Sequence, residues 1–208
     1  EQLFSQYGQT TMIGFFILFA GIITVIFSIA LEITYRIRLD MEYLGWCMIL
    51  GAVWMLGESK FRQLIVPNAS VLASLCFVSI LLCPVPILSY IDSVQQKRYN
   101  RIYLPLEIAA FANFFVCTLL QVAGAADYIE TLPMAHVILG VTMLAVLAAT
   151  GKDILEGKAK EYRMILIGML VAMAAVAVES VSVYFVVSVT GYFMAVGLMV
   201  LLVMTTIR

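Results

Sequence analysis

The stretch that decides the fold is residues 164–207, MILIGMLVAMAAVAVESVSVYFVVSVTGYFMAVGLMVLLVMTTI, in which 44 consecutive residues carry one charged side chain, that of Glu179. As a helix rising ~1.5 Å per residue, the run would be about 66 Å long, twice the ~30 Å hydrocarbon core of a bilayer. It therefore predicts two membrane helices, residues 164–185 and 190–207, with a turn at residues 188–191. A carboxylate is costly in such a run, so Glu179 is the first candidate for a functional residue.

Five earlier apolar runs extend the pattern toward the N-terminus. They cover residues 11–33, 43–57, 71–91, 102–124 and 132–150, and the second is expected to continue toward residue 61. The chain is 63% hydrophobic and 12% charged, whereas soluble domains carry about 25% charged residues. The predicted fold class is therefore all-α, a polytopic seven-transmembrane helix bundle surrounded by the lipids of the plasma membrane. The runs are too long and continuous for the strands of a barrel.

Composition also excludes several kinds of function. A net charge of −1 provides no basic field for nucleic acid. One histidine and no Cys-x-x-Cys pair argue against a metal site, and no glycine motif for a bound cofactor is present. The four cysteines lie inside apolar runs, where they act as small hydrophobes: Cys47, Cys76, Cys83 and Cys117. We predict no catalytic residues, no metal and no cofactor in this chain.

The distribution of basic residues predicts the orientation. With the N-terminus outside, ten of the twelve basic residues fall on the inner side: Arg36, Arg38, Lys97, Arg98, Arg101, Lys152, Lys158, Lys160, Arg163 and Arg208. The outer side then holds only Lys60 and Arg62. Because positive residues favour the cytoplasm, the predicted topology is N-out, C-in. This topology is typical of a receptor that signals to the cytosol, but it also occurs in other membrane proteins.

The face of the sixth span can be predicted as well. Glu179 lies 16 residues after Arg163, about 24 Å along the helix axis, in the outer half. It shares one stripe with small residues at spacings of four and three: Gly168, Ala172, Ala175 and Ser182. The other side is apolar and is expected to face lipid: Ile167, Leu170, Ala174, Val178, Val181 and Phe185. We therefore expect Glu179 to face into the bundle.

Polar and aromatic residues from several spans converge on the outer end. The predicted ligand-binding set is Glu179, Glu58, Trp54, His136, Gln121, Tyr184 and Tyr192. Structural alternatives stay open: a buried structural acid at Glu179, an i,i+4 pair of Glu58 with Arg62, and an interfacial belt for the aromatic residues. Two prolines in the third span, Pro84 and Pro86, predict a kink with a coupling role, or a static kink. Glu107 is expected to be an interfacial or structural acid, with gating as the alternative.

Two segments carry a resemblance to a known family. Residues 54–64, WMLGESKFRQL, and 179–185, ESVSVYF, resemble the membrane region of bacterial seven-transmembrane receptors with diverse intracellular signalling modules, above all those with a GGDEF diguanylate cyclase domain. The resemblance implies an outer ligand site and a cytoplasmic output domain in cis, of the diguanylate cyclase or histidine kinase type. Such output domains work in pairs, which implies a homodimer. Residues 1–208 are then a single sensor domain, truncated before the output domain and without enzymatic activity.

The preferred function is thus a membrane sensor. It would bind a small extracellular ligand, or sense protons, in an outer-half cavity and signal through the seventh helix. The alternative is a small transporter or channel, although residues 164–178 contain no ionisable group to line a path. A membrane-embedded enzyme would need Glu58, His136 and Glu179 at working distance. A retinal protein is excluded because residues 190–207 contain no lysine for a Schiff base.

Overall fold

The computed structural model describes residues 2–36, 40–59, 68–185 and 192–206, and this part of the chain is helical without strands. The helices are α1 Gln2–Tyr35, α2 Met41–Glu58, α3 Ala69–Leu82, α4 Pro84–Val94, α5 Asn100–Val122, α6 Tyr128–Leu155, a 3₁₀ helix Lys158–Tyr162, α7 Arg163–Phe185 and α8 Tyr192–Thr206. Each predicted apolar run coincides with a helix, α3 and α4 sharing one run, so the all-α prediction is confirmed. The predicted turn at residues 188–191 and the extension of the second span past residue 59 lie outside the described residues.

Within these described ranges, five segments are long and apolar enough to cross a membrane: Thr11–Tyr35, Ser70–Val94, Asn100–Val122, Tyr128–Leu155 and Lys158–Glu179. Two shorter helices are apolar as well, Met41–Gly57 and Phe193–Thr206. Large hydrophobic side chains cover the outside of the bundle, as on α1 at Phe16, Phe19 and Ile23. A surface of this kind is stable in lipid and not in water, so the chain is a multi-pass membrane protein.

Glycine allows α1 and α2 to pack closely. A Cβ atom added at Gly45 would lie 2.6 Å from Val25 Cγ2 and 3.1 Å from the carbonyl oxygen of Gly21. A Cβ at Gly21 would meet the carbonyl oxygen of Gly45 at 3.0 Å. Because lipid provides no hydrophobic drive for helix association, such backbone contact supplies much of the packing energy.

The helices α7 and α8 pack in the same way. A Cβ at Gly197 would lie 2.8 Å from Ala175 Cβ and 3.0 Å from Ala172 Cα, and one at Gly168 would lie 3.1 Å from Leu201 Cα. The small-residue stripe predicted on the sixth span is therefore a close helix contact, and its partner is α8. This prediction is confirmed for Gly168, Ala172 and Ala175.

The remaining contacts arrange the helices in an incomplete ring. The helix α2 packs on α1, α3, α4 and α8, while α5 packs on α4, α3 and α6. In contrast, α6 and α7 hardly approach each other, and the 3₁₀ helix between them touches both. The ring is thus open between α6 and α7.

All basic residues that the structure describes lie at one end of the bundle, which we call the basic end. Here α1, α4, α6 and α8 end and α2, α5 and α7 begin. At the opposite end the hydroxyl oxygens of Thr11 and Ser59 lie 2.6 Å apart and hydrogen-bond α1 to the end of α2.

The break between α3 and α4 occurs at the predicted prolines. The amide of Cys83 still donates to the Ser79 carbonyl at 3.0 Å, but Pro84 has no N–H to continue the ladder. Pro84 opens α4, where a proline is tolerated, and Pro86 lies in the same first turn. The helix is thus interrupted at the predicted prolines, and a kink with a coupling role for Pro84 and Pro86 stays a prediction.

Candidate functional site

Glu179 lies inside the bundle. It is 3% exposed, whereas Ile167, Val178 and Val181 on the other side of α7 are among the most exposed residues of that helix. The predicted orientation of this carboxylate is therefore confirmed. Its neighbour on the stripe, Ser182, has a side chain outside the described residues.

Trp54 also lies inside the bundle and not in an interfacial belt. It is 8% exposed and belongs to a core cluster with Cys47, Met194 and Leu198. The thiol of Cys76 donates a weak hydrogen bond to the Trp54 carbonyl at 3.9 Å. Trp54 is thus packed against core side chains of α2 and α8.

Other members of the predicted ligand set have different surroundings. Gln121 fastens the turn before α6, because its Oε1 accepts from the amide of Tyr128 at 2.7 Å and its Nε2 donates to Asp127 Oδ1 at 3.4 Å. His136 is half-buried on α6. The side chains of Glu58, Tyr184 and Tyr192 lie outside the described residues. Convergence of the full set therefore stays a prediction.

A cavity of about 60 Å³ occupies the middle of the bundle. We call it the central cavity. Side chains from α2, α4, α6, α7 and α8 line it: Leu44, Cys47, Pro84, Ile87, Tyr90, Ile91, Leu139, Thr142, Met143, Val146, Met169, Ala172, Met173, Val176, Met194, Leu198 and Leu201. On the side where the ring is open, Leu139 and Met143 of α6 face Met173 and Val176 of α7, and all four are partly exposed. The cavity therefore lies just inside a cleft that leads to the lipid-facing surface.

One hydroxyl in the central cavity, that of Thr142, is buried among apolar side chains. Thr142 is 2% exposed, and within the described part of the chain its Oγ1 has no hydrogen-bond partner. An unsatisfied buried hydroxyl costs about 1–3 kcal/mol. Because the other lining side chains are almost all apolar, Thr142 marks the point where a ligand could gain a hydrogen bond.

A second polar site, at the basic end, was missed by the sequence analysis. Asp153 is fully buried, and its carboxylate accepts from Tyr99 Oη at 2.9 Å, from Tyr162 Oη at 2.5 Å and from Arg98 Nη1 at 3.3 Å. Burial, and then the hydrogen bond to Asp153, raise the pKa of Tyr99 to about 12. Tyr99 therefore stays protonated at physiological pH and donates to the carboxylate.

Gln95 extends this network toward α5. Its Oε1 accepts from Tyr103 Oη at 2.7 Å, and its Nε2 donates to Thr150 Oγ1 at 3.4 Å. Its backbone carbonyl accepts from Arg98 Nε at 2.9 Å. We call the whole network the basic-end cluster; its members are Gln95, Arg98, Tyr99, Tyr103, Thr150, Asp153 and Tyr162. It ties α4, α5, α6 and the 3₁₀ helix together.

A hydrogen bond links the central cavity to the basic end of α8. Tyr90 lines the cavity, and its Oη lies 2.6 Å from Thr205 Oγ1. The Thr205 hydroxyl also donates to the Leu201 carbonyl at 2.7 Å, and Leu201 is itself a lining residue. A change in the cavity can therefore reach the last turn of α8 through two adjoining residues.

Within the described ranges, no group of three or more histidine, cysteine, aspartate or glutamate residues is placed to hold a metal ion. Comparisons with protein-family models, with curated proteins and with solved structures give no match.

Proposed function

We propose that the chain is a membrane sensor domain that binds a small apolar or amphiphilic molecule in the central cavity. The observation that carries this proposal is the cavity itself, which has five helices in its wall and one hydroxyl, that of Thr142, without a hydrogen-bond partner among the described residues. In this proposal the chain forms a seven-span bundle with N-out, C-in topology in the plasma membrane. The orientation is supported by the basic end, because positive residues favour the cytoplasmic side.

The chemistry of the lining defines the class of ligand. Apolar walls favour an alkyl chain, and Thr142 offers one hydrogen bond to a hydroxyl or carbonyl group on it. A cavity of about 60 Å³ is smaller than the ~150 Å³ cavity that holds benzene in an engineered core. It suits part of a narrow chain whose remainder lies in the cleft between α6 and α7. Such a ligand can enter sideways from the outer leaflet.

The polar end of the ligand would lie toward Glu179. Trp54 shares a cluster with three lining residues, and Glu179 is one turn beyond Val176 on α7. With His136 and Glu58 predicted at the same end, this region would hold a cationic or hydrogen-bonding head group. Glu179 is then retained in its apolar run because it recognises that group.

Transmission would pass through α8. Met194, Leu198 and Leu201 form part of the cavity wall, so occupation of the cavity changes how α8 packs. The Tyr90–Thr205 hydrogen bond carries the change to the basic end. A ligand shifts this equilibrium only by its differential affinity for the two packings.

The resemblance to seven-transmembrane receptors with diverse intracellular signalling modules fits this scheme. It suggests a cytoplasmic output domain in cis, of the diguanylate cyclase or histidine kinase type, and a homodimer as the working unit. Seven apolar helical segments in the described part of the chain, and the position of all described basic residues at one end, support the likeness.

Bromine-substituted alcohols provide the first test. In a Trp46→Phe background Trp54 is the only tryptophan, and 8-bromo-1-octanol added to the protein in nanodiscs is expected to quench its fluorescence saturably. Thr142→Val should weaken binding of the alcohol about 2- to 10-fold while leaving 1-bromooctane unaffected. That range corresponds to the ~0.5–1.5 kcal/mol of one hydrogen bond.

Cavity-filling variants serve as controls for this test. Val146→Phe, or Leu139→Phe at a partly exposed lining position, should abolish saturable quenching. Quenching that rises linearly with probe concentration, and that is the same in the cavity-filling variants, would mean that the probe partitions into lipid. The proposed ligand site would then be wrong. Ion flux through proteoliposomes without saturable binding would favour a channel instead.

Glu179→Gln tests the head-group site. We expect the variant to fold and to melt like the wild type, but to bind 8-bromooctylamine at least tenfold more weakly. The loss corresponds to a charge-assisted hydrogen bond of ~1.5–3 kcal/mol. Glu130→Gln, which removes an exposed acid at the same end, should bind normally. Unchanged amine affinity together with a lower melting temperature would make Glu179 a structural acid.

A further inference from the structure

A polar pocket of about 190 Å³ opens at the basic end, apart from the central cavity. We call it the acidic pocket. Its lining combines four carboxylates with one lysine and several neutral polar groups: Asp40, Glu42, Tyr43, Ser89, Asp92, Ser93, Lys97, Asn100 and Glu107. None of these residues lines the central cavity. The pocket therefore has an excess of negative charge at the end of the molecule where the surrounding surface is basic.

The buried carboxylate of Asp92 is the feature of the pocket that points to a ligand. It is 7% exposed, and within the described ranges its Oδ1 accepts no hydrogen bond. A buried carboxylate oxygen without a donor is strongly unfavourable. The nearby cation, Lys97, is exposed and makes no ion pair in the described part of the chain. Lys97 is thus near enough to act on Asp92 electrostatically but does not pair with it in the described part of the chain, and a cation inside the pocket would be a closer charge partner.

The rest of the pocket is arranged to accept hydrogen bonds from a cation. Glu107 Oε1 accepts from Ser89 Oγ at 2.8 Å, which fixes that carboxylate and leaves its other oxygen for a ligand. Asp92 lies in the last turn of α4, where the negative end of the helix dipole also favours positive charge. Glu42 adds a third carboxylate from the first turn of α2.

The geometry favours an organic cation over a metal ion. The acidic residues are not placed to coordinate a metal within the described chain. The volume is also many times the ~10–15 Å³ that one water molecule needs. A primary ammonium group has three donors and a compact charge, which matches carboxylates on two sides of a roomy pocket.

We propose that the acidic pocket binds a primary ammonium group, carried either by a free diamine or by the head group of an aminophospholipid. Asp92 and Glu107 are its principal partners. The pocket lies at the end of the bundle where helices begin and end, so a free diamine and a lipid head group can both reach it. This inference does not depend on the central cavity being a ligand site.

Thermal melting of the full chain in a detergent without aminolipid tests the proposal. We expect 1,4-diaminobutane to raise the melting temperature saturably, and tetramethylammonium at the same ionic strength to have no effect. Asp92→Asn should melt higher than wild type without ligand, because an unpartnered carboxylate is removed. It should also lose at least tenfold in diamine affinity.

Two further variants keep this test decisive. Glu107→Gln should weaken the diamine response in the same direction, whereas Glu156→Gln, an exposed acid of the same end outside the pocket, should leave it intact. If the diamine stabilised wild type, Asp92→Asn and Glu107→Gln equally, the proposed site would be wrong. Stabilisation by Mg²⁺ in place of the diamine would overturn the ligand class.

Nanodiscs separate the two sources of the ammonium group. If the head group is the occupant, phosphatidylethanolamine should raise the melting temperature relative to phosphatidylcholine alone and abolish the response to diamine. If a free diamine is the occupant, its response should be the same in both lipids.

Discussion

Asp153→Ala is expected to lower the free energy of unfolding by about 3–5 kcal/mol, the range measured when one partner is removed from a buried ion pair. The carboxylate is fully buried and holds Arg98, Tyr99 and Tyr162 at once. Without it two tyrosine hydroxyls lose their acceptor in a dry environment. Loss of helix signal during titration with a denaturing detergent measures the effect.

A neighbouring acid provides the matched control. Glu161 contacts the same Arg98 at 3.4 Å, but its side chain is 55% exposed. Surface ion pairs contribute only about 0–1 kcal/mol, so Glu161→Gln should unfold almost like the wild type. Equal losses in the two variants would mean that burial of Asp153 does not determine the strength of the basic-end cluster.

Gly45→Leu is expected to disrupt the packing of α1 on α2 and to cost at least the ~1–3 kcal/mol typical of an overpacked core. A first side-chain carbon at residue 45 already lies 2.6 Å from Val25 Cγ2 and 3.1 Å from two backbone atoms, Gly21 O and Val25 N. Backbone atoms cannot turn aside, so the helices must separate along the contact. The melting temperature in detergent and the yield of folded protein report the loss.

Gly140 provides the matched control, because the same substitution there meets no neighbouring residue. A Cβ there meets nothing within 4 Å. Gly140→Leu should therefore be neutral or stabilise α6, since leucine has the higher helix propensity by up to ~1 kcal/mol. If Gly45→Leu melted like Gly140→Leu, the close approach of α1 and α2 would not exist.

Much of the fold could be predicted because lipid imposes simple rules. Long apolar runs must become helices, since the backbone has no water to bond with. The small-residue stripe on α7 could be predicted from a spacing of three and four, because helical geometry alone puts Gly168 and Ala175 on one face. The break at Pro84 followed from the missing N–H.

The basic-end cluster could not be predicted in the same way. Gln95 and Asp153 are far apart in the sequence, in segments whose polar residues look like ordinary membrane-boundary residues. Only tertiary packing brings the Tyr99, Tyr103 and Tyr162 hydroxyls onto them. One signal was present: three tyrosines and an aspartate beside short connections at one end of the bundle. The gap between α6 and α7 could not be predicted, because apolar side chains on these helices suit contact with lipid and contact with a neighbouring helix equally well.

The basic-end cluster also has a mechanical consequence. It clamps α4, α5 and α6 at one end, whereas α8 joins this group through Tyr90 and Thr205. The helix α6 has 28 residues and is about 42 Å long, and its other end is tied to α5 through Gln121, so a pivot of about 5° of these two helices together moves that end by about 4 Å. The width of the cleft beside α7 can therefore change by ångströms while the clamped end stays still. Under the proposed function, a molecule in the central cavity would act about halfway along this lever, beside Leu139 and Met143, and its effect would reach the basic end of α8 through Tyr90 and Thr205.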